Sequence, residues 1–404
     1  MFTRRVLFRL ATIYLYYGAR ACGILPFCFD GNRFHSCEFH LLWSLCAATS
    51  TIVTVGFSFY RIVTLLPYPT LDIVRQLIYC KFIIRLGIIA SCYALALIYN
   101  RQFLAHSNAI LRNLQRLECF EVLPEIDKKL VLYGLGKVCI VNIMMSVLFA
   151  INFRFNMEND PVPLFERIMN IYAVFVVAQV SNVCLFSLYI GAHLYRSVNS
   201  QVKKIIRDIC FSTEVCENLT ALSRIHYSTS YSVQGICRIF SIPLGLINLN
   251  QLVVFIVCFF ISRYCLQMYF VYVSTSQQLR HEFTITLNRY FNSFLYLAFE
   301  LIHLVCLVSA SALSARRAEK TLLYLNEFFE TEVAPRIDEN IQTFTIGLLL
   351  RDQSVSPCGL YRLDFALFFS IFAAITNKLI VLVQLQLGYS MHDSNNTTRY
   401  KKKS

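Results

Sequence analysis

The chain has 404 residues, of which 56% are hydrophobic and 15% charged, with a mean hydropathy of +0.54. Soluble domains average about 25% charged residues, so this surface is too apolar for a water-facing globule. The composition therefore predicts a multi-spanning membrane protein in a lipid bilayer. The net charge of +13 does not indicate nucleic-acid binding, because the basic residues are spread through loops and form no basic face.

The N-terminal segment, residues 1–38, contains a short apolar run at 10–19 that follows Arg4, Arg5 and Arg9. Ten residues cannot span a bilayer. A signal peptide is one interpretation, but an arginine inside the cleavage site would be unusual. We expect instead an amphipathic helix on the inner leaflet, with its arginines near the lipid phosphates.

Seven windows are long and apolar enough to be transmembrane helices. They are 39–60, 74–99, 131–153, 167–195, 244–272, 290–313 and 363–387. The predicted fold class is therefore all-α with seven transmembrane helices. The sequence shows no internal repeat, which disfavours a transporter built from inverted repeats.

The distribution of lysine and arginine predicts the orientation of these helices. Basic residues concentrate in the N-terminal segment and in the loops 100–130, 196–243 and 314–362. These parts are therefore expected on the cytoplasmic side. Seven spans then place the tail, 388–404, outside the cell, where the overlapping sequons at Asn395 and Asn396 could be glycosylated. A G-protein-coupled receptor has the opposite orientation, and this chain lacks its D-R-Y and N-P-x-x-Y motifs.

The sequence contains no convincing pattern for a metal site or a catalytic site. Most of the 16 cysteines are single and lie in apolar runs, and none forms a CxxC pair. The stretch "HSCEFH" offers His35, Cys37 and His40, but their spacing matches no zinc pattern. We therefore predict no metal site, no cofactor and no enzymatic activity.

The C-terminal region carries the most informative pattern. Residues 359–364 read "GLYRLD", and the last apolar window then holds Asn377-Lys378, five apolar residues and Gln384-Leu385. This pattern resembles the C-terminal signature of insect gustatory receptors. There, a GLF-x-L/I-D turn precedes a last helix with Thr-Tyr, five apolar residues and Gln-Phe. The chain departs from that signature at Asn377, Lys378 and Leu385. The stretch "LYYGARACGILPF" at 15–27 is also similar to the start of this family.

The resemblance implies a ligand-gated cation channel that detects tastants or contact pheromones in the plasma membrane of sensory neurons. It implies a homo- or heterotetramer in which window 363–387 of each subunit lines one central pore. Segment 314–362 would belong to a cytoplasmic anchor, with an amphipathic helix that Pro335 ends. The alternatives are a G-protein-coupled-type receptor, a solute transporter, and a subunit that works only in heteromers.

Three residues of the last helix are candidate pore or gate residues. Leu385 could form an apolar ring that closes the pore, and the Gln384 amide could solvate a passing cation. An interhelical hydrogen bond is the alternative role for Gln384. Lys378 would repel cations if it faced the pore, and we expect instead that it snorkels or pairs with an acid near the helix junction.

A ligand pocket is implied among the outer halves of spans two to six. Such pockets have aromatic walls and a few polar groups. The candidates are Gln76, Tyr79, Asn170, Tyr172, Tyr264, Gln267, Asn292, Tyr296 and Glu300. Aromatic residues at these depths are also common as membrane-belt residues. Glu300 is the strongest candidate because it is ionisable inside a span, although His303 could be its partner instead.

Overall fold

The structure is a computed structural model of the whole chain. It describes most of the chain in ten ranges. These are 13–14, 16–65, 72–118, 120, 164–207, 213–256, 279–330, 335–377, 380–381 and 384. The predicted third span, 131–153, lies outside the described residues, as do residues 257–272 of the fifth, Tyr264, Gln267 and the whole tail with Asn395 and Asn396.

A small hairpin follows the N-terminal helical residues 16–21. Strand β1 (Phe27–Phe29) pairs antiparallel with β2 (Phe34–Ser36), with Cys28 opposite His35. Asp30 closes the turn, since its carboxylate accepts hydrogen bonds from the backbone N–H groups of Asn32 and Arg33 at 3.0 and 2.9 Å. Asn108 fastens the hairpin to the body of the protein by bonding both the N–H and the carbonyl of Phe34.

The remainder of the described chain is almost entirely helical. The helices are α1 (Glu38–Leu65), α2 (Asp72–Ile98), α3 (Asn100–Glu118), α4 (Leu164–Arg207), α5 (Thr213–Ile239), α6 (Ser241–Ile256), α7 (Leu279–Asn326), α8 (Pro335–Leu349) and α9 (Ala366–Asn377). Short 3₁₀ segments lie at Glu327–Glu330 and Pro357–Gly359. The predicted helical character is confirmed.

Four described helices are long and apolar enough to cross a bilayer. Their apolar parts are Glu38–Arg61, Tyr79–Ile98, Tyr172–Ile206 and Leu297–Asn326. The pair α5 and α6, bent by 59° at its break, gives a fifth if it is one span. The four segments overlap the predicted windows at 39–60, 74–99, 167–195 and 290–313, and the last two extend beyond their windows to Ile206 and Asn326. Of the bent pair, α6 overlaps the window 244–272, whereas α5 lies in the predicted loop 196–243. The chain is a multi-pass membrane protein, and the count of seven stays a prediction.

Helix α4 is the centre of the bundle and packs against α1, α2, α3, α5 and α7. It is buried along much of its length, and small or slender side chains such as Cys184, Leu188 and Ala192 face its neighbours. Gly191 shows how close this packing is, because a Cβ added there would lie 2.8 Å from a methyl group of Val233 on α5. Closely packed small residues are typical of helix contacts within membranes.

The N-terminal segment packs on the helices through one side, because Ala19 and the adjacent Cys22 are fully buried whereas Tyr17 is exposed. The Tyr93 hydroxyl donates to the Cys22 carbonyl at 2.7 Å. Pro335 does not end the helix that continues the predicted sixth span. That helix, α7, ends at Asn326, and Pro335 is the first residue of α8, where its missing N–H costs nothing.

Candidate functional site

The turn before the last helix is built by backbone geometry at two residues. Cys358 and Gly359 both have positive φ, of 53° and 70°, and a conformation of this kind is easily adopted by glycine. The N–H of Leu363 then donates to the Val355 carbonyl at 2.8 Å, which closes the loop. Asp364 ends the turn and caps α9, because its carboxylate accepts from the N–H groups of Ala366 and Leu367 at 3.0 and 3.3 Å. The sequence "GLYRLD" thus forms a defined entry to the last helix.

An ion pair braces this turn from outside. The Arg362 guanidinium lies 3.1 Å from a carboxylate oxygen of Asp352, and both side chains are largely exposed. The backbone N–H of Ser354 donates to the other Asp352 oxygen at 2.9 Å. This hydrogen bond, with help from Arg362, holds the pKa of Asp352 below its ordinary value.

Three side-chain contacts tie the turn and its preceding loop to α5 and α6. The Asn248 amide on α6 donates to the Tyr361 hydroxyl. On α5, Gln234 donates to the Asp352 carbonyl at 2.5 Å, and Ser230 donates to the side-chain oxygen of Gln353 at 2.9 Å. A displacement of α5 or α6 therefore acts directly on the entry to α9.

Helix α9 packs through one narrow stripe. Leu367 and Ile375 are buried, whereas Phe369 is 78% and Phe372 53% exposed. These two phenylalanines lie on the side of the helix roughly opposite the buried stripe, at about 100° per residue. Most of the surface of the last helix is therefore unoccupied within a single chain.

A polar stripe runs along another side of the last helix. Ser370, Asn377 and Gln384 are spaced by seven residues and all three are exposed. Side chains seven apart drift by only about 20° around a helix, so the three lie nearly in line over about 21 Å. Residues 380, 381 and 384 are helical as well. The other two predicted gate residues, Lys378 and Leu385, lie outside the described residues.

Glu300 on α7 is buried, with 5% of its surface exposed. Gln251 of α6, itself buried, lies with its amide 3.3 Å from a Glu300 carboxylate oxygen and 3.4 Å from the Glu300 carbonyl. His303, one turn further along, is also buried and packs against the Phe299 ring at 5.6 Å. The structure therefore supplies a partner for Glu300 from a neighbouring helix.

The other predicted pocket residues have contacts in different places. Tyr79 packs edge-on against Phe59 of α1 at 5.9 Å, and the neighbouring predicted residue Gln76 is exposed. The Tyr172 hydroxyl lies 3.5 Å from the Ala21 carbonyl in the N-terminal segment. Two further candidates stand on α7 and one on α4, and the structure does not describe their side chains; they are Asn292, Tyr296 and Asn170. Their role as one pocket stays a prediction.

Two cavities, of about 400 and 450 Å³, lie between α5 and α8. Arg224 lines both, and Tyr227 and Arg351 line the first. The Arg351 guanidinium lies 3.7 Å from the centre of the Tyr227 ring, a close cation–π contact. None of the ligand-pocket candidates whose side chains the structure describes lines either cavity.

Nearly the whole chain matches a known protein family. The model of the family described as 7tm Chemosensory receptor matches residues 12–388. The chain belongs to the 7tm chemosensory receptor family. The match runs from the N-terminal helical segment through the last helix, so the site residues of this chemosensory receptor lie within it. The resemblance to insect gustatory receptors is thereby confirmed.

Relatives of this chemosensory receptor agree. A stretch of 92 residues is 30% identical to the Gustatory receptor for sugar taste 43a of Drosophila melanogaster, and it covers 23% of this chain and 22% of that receptor. The insect olfactory receptor OR5 from Machilis hrabei has the same fold, with a TM-score of 0.65 at 12% identity over 94% of this chain and 99% of that one. The structure of OR5 in complex with eugenol matches with a TM-score of 0.59 at 13% identity, over 95% and 99% of the two chains.

Sequence reasoning missed two residues that the structure connects to the site. Asn248 and Gln251 belong to "INLNQL", a polar cluster at the start of the predicted fifth span. Polar residues inside a span usually form an interhelical contact or belong to a functional site, so this cluster could have been used to predict one. Their partners, Tyr361 and Glu300, come from 113 and 49 residues away and could not be inferred from spacing.

Proposed function

We propose that this receptor is a subunit of a ligand-gated cation channel that detects small molecules at the surface of sensory neurons. The supporting observation is the exposed polar stripe of Ser370, Asn377 and Gln384 on the last helix. Amide side chains are unfavourable in contact with lipid, so such a stripe is expected to face a water-filled path or a neighbouring subunit. In a pore formed by the last helices of several subunits, the stripe faces water and the rest of the helix contacts its neighbours.

The assembly we propose is a tetramer, either of this chain or with sibling receptors, around one central pore. The largely uncovered surface of α9 supports assembly, since Phe369 and Phe372 are exposed on a different side from the polar stripe. In this arrangement the N-terminus is cytoplasmic and the tail extracellular, as the distribution of basic residues predicts. In this arrangement Leu385 belongs to the gate, and Lys378, nearer the cytoplasm, snorkels or pairs with an acid near the helix junction.

The ligand class we propose is a small tastant or contact chemical. Two relatives support this class: one is named for sugar taste, and the other is solved with eugenol. Glu300, which contacts Gln251, is the buried member of the proposed pocket on which the proposal chiefly rests. Because α6 also contacts the turn before α9 through Asn248, ligand binding near α6 has a short physical route to the gate.

The test is whole-cell current from cells that express this chain, alone and with sibling receptors, under a panel of sugars, bitter compounds and volatile phenols. Gln384→Ala is measured beside the wild type, with Phe372→Ala as the control on a different side of the same helix. We expect ligand-evoked cation current whose ion selectivity changes in Gln384→Ala and not in Phe372→Ala. Receptors present at the cell surface that give no current in any combination would contradict the proposal, as would second-messenger signalling without current.

A further inference from the structure

Three metal-binding side chains meet beside the N-terminal hairpin. Cys28 lies on β1, Cys37 directly follows β2, and His40 lies in the first turn of α1. Each offers one ligand atom, and these three atoms lie within 4.8 Å of one another. This cluster has no part in the proposed channel mechanism.

The fold brings the three together through two short-range constraints. The antiparallel register places Cys28 opposite His35, so the chain that leaves β2 carries Cys37 close to Cys28. Helix α1 then starts at once, and the His40 N–H donates to the Cys37 carbonyl at 3.1 Å. Residues three apart in a first helical turn share a face, so Cys37 and His40 point the same way.

Arg20 completes the surroundings of the cluster. Its Nη2 contacts Nε2 of His40 and lies 3.5 Å from the Cys28 sulfur. A metal ion bound through Nε2 would take the place of Arg20 at His40 and leave its contact with Cys28.

We propose that Cys28, Cys37 and His40 bind one zinc ion. A set of two sulfur ligands and an imidazole binds zinc in preference to magnesium or calcium, which favour oxygen ligands. Zinc binds sulfur at about 2.3 Å and histidine nitrogen at about 2.0–2.1 Å, so a small inward movement of the three atoms completes the site. Water is available as a fourth ligand.

The stretch "HSCEFH" alone does not predict a metal site, because it holds too few ligands at a usable spacing. The missing ligand is Cys28, nine residues before Cys37, and only the hairpin brings it close. The zinc ion would join the hairpin to the first turn of α1 and thereby fix the N-terminal segment on the helical bundle.

The first test measures metal content in the purified full-length receptor. The protein is depleted with a chelator, reloaded with zinc or cobalt(II), and freed of excess metal. We expect about one zinc per chain and a sulfur-to-cobalt charge-transfer band. Both should be lost in Cys28→Ser, Cys37→Ser and His40→Ala, and both should remain in Cys46→Ser and Cys358→Ser, which change exposed cysteines outside the cluster. Zinc that persists in Cys28→Ser and Cys37→Ser would overturn the proposal.

A second measurement uses the wild-type protein, so it does not depend on whether a variant folds. Alkylation of each cysteine by iodoacetamide is followed by peptide mass spectrometry with and without zinc. We expect zinc to slow alkylation of Cys28 and Cys37 at least tenfold and to leave Cys46 and Cys358 unchanged. Equal rates with and without zinc, or a Cys28–Cys37 disulfide that forms in place of metal binding, would overturn the site.

Discussion

The amide of Asn248 on α6 donates a hydrogen bond to the hydroxyl of Tyr361, in the turn that leads into the last helix. Both groups are largely buried, Asn248 to the extent of 93% of its surface. Hydrogen bonds in such surroundings are costly to leave unmade. This contact is therefore a direct link between the part of the receptor that carries the Gln251–Glu300 pair and the helix proposed to line the pore.

This link predicts energetic coupling between Asn248 and Tyr361. Tyr361→Phe removes the acceptor, and Asn248→Ala removes the donor, so either change should shift the ligand concentration for half-maximal current. The double variant should resemble the single ones, with a coupling free energy of about 0.5–1.5 kcal/mol. Tyr60→Phe, an exposed position on α1, is the control and should have no effect. Additive shifts would show that the hydrogen bond does not connect α6 to the gate.

Because Asp364 caps the last helix, its removal should destabilise the first turn of that helix. Asp364→Ala leaves the N–H groups of Ala366 and Leu367 without their acceptor and should destabilise the folded receptor by about 1 kcal/mol. Asp364→Asn keeps an acceptor oxygen and should be nearly neutral. Thermal unfolding in detergent, followed by tryptophan fluorescence or by loss of the monodisperse peak, compares the two. Equal losses would contradict the capping role.

The Gln251–Glu300 contact predicts that substitutions at its two residues have different effects. Gln251→Leu removes a hydrogen-bond donor from a buried carboxylate and should cost about 1–3 kcal/mol of stability. Glu300→Gln keeps the shape and removes the charge, so it should fold well and alter ligand sensitivity. Surface expression and dose–response curves separate these outcomes. A Glu300→Gln receptor with wild-type responses to every active ligand would remove Glu300 from the proposed pocket.

The turn around Asp352 predicts a loss of stability in acid. The Ser354 N–H and Arg362 lower the pKa of Asp352 in the folded protein, so its contribution is present above the ordinary value of 3.8 and is lost as the pH falls through the lower, folded value. The thermal midpoint of the wild type should therefore decline more steeply below about pH 4 than that of Asp352→Asn. Asp338→Asn, on α8, is the matched control. Parallel curves for wild type and Asp352→Asn would contradict the linkage.

Composition and motif together were enough to predict the membrane class, the helical fold and the receptor family. Hydrophobic windows depend only on local sequence, which is why Glu38–Arg61 falls almost exactly on the predicted 39–60. The turn "GLYRLD" was likewise legible, because a glycine with positive φ and an aspartate cap act within a few residues. Both features depend on interactions between residues that are close in sequence, and such interactions can be predicted from one sequence.

Contacts between distant parts of the chain were not predictable. His303 could be considered as a partner of Glu300 because the i+3 spacing is visible in a sequence, but the contact of Glu300 with Gln251 on another helix could not be inferred. The contact of Tyr172 with the Ala21 carbonyl likewise depends on how the N-terminal segment packs against α4. Cys28 escaped notice for the same reason, since only the pairing of β1 with β2 carries it to Cys37.

The central claim, that the polar stripe of the last helix faces a water-filled pore, is tested most directly by cysteine accessibility. Asn377→Cys and Phe372→Cys are exposed positions on different sides of the helix. A charged, membrane-impermeant thiol reagent is applied during ligand-evoked current, with the wild type as the baseline for the native cysteines. We predict rapid block at Asn377→Cys, only with ligand present, and no change at Phe372→Cys. Block at Phe372→Cys with none at Asn377→Cys would contradict the account.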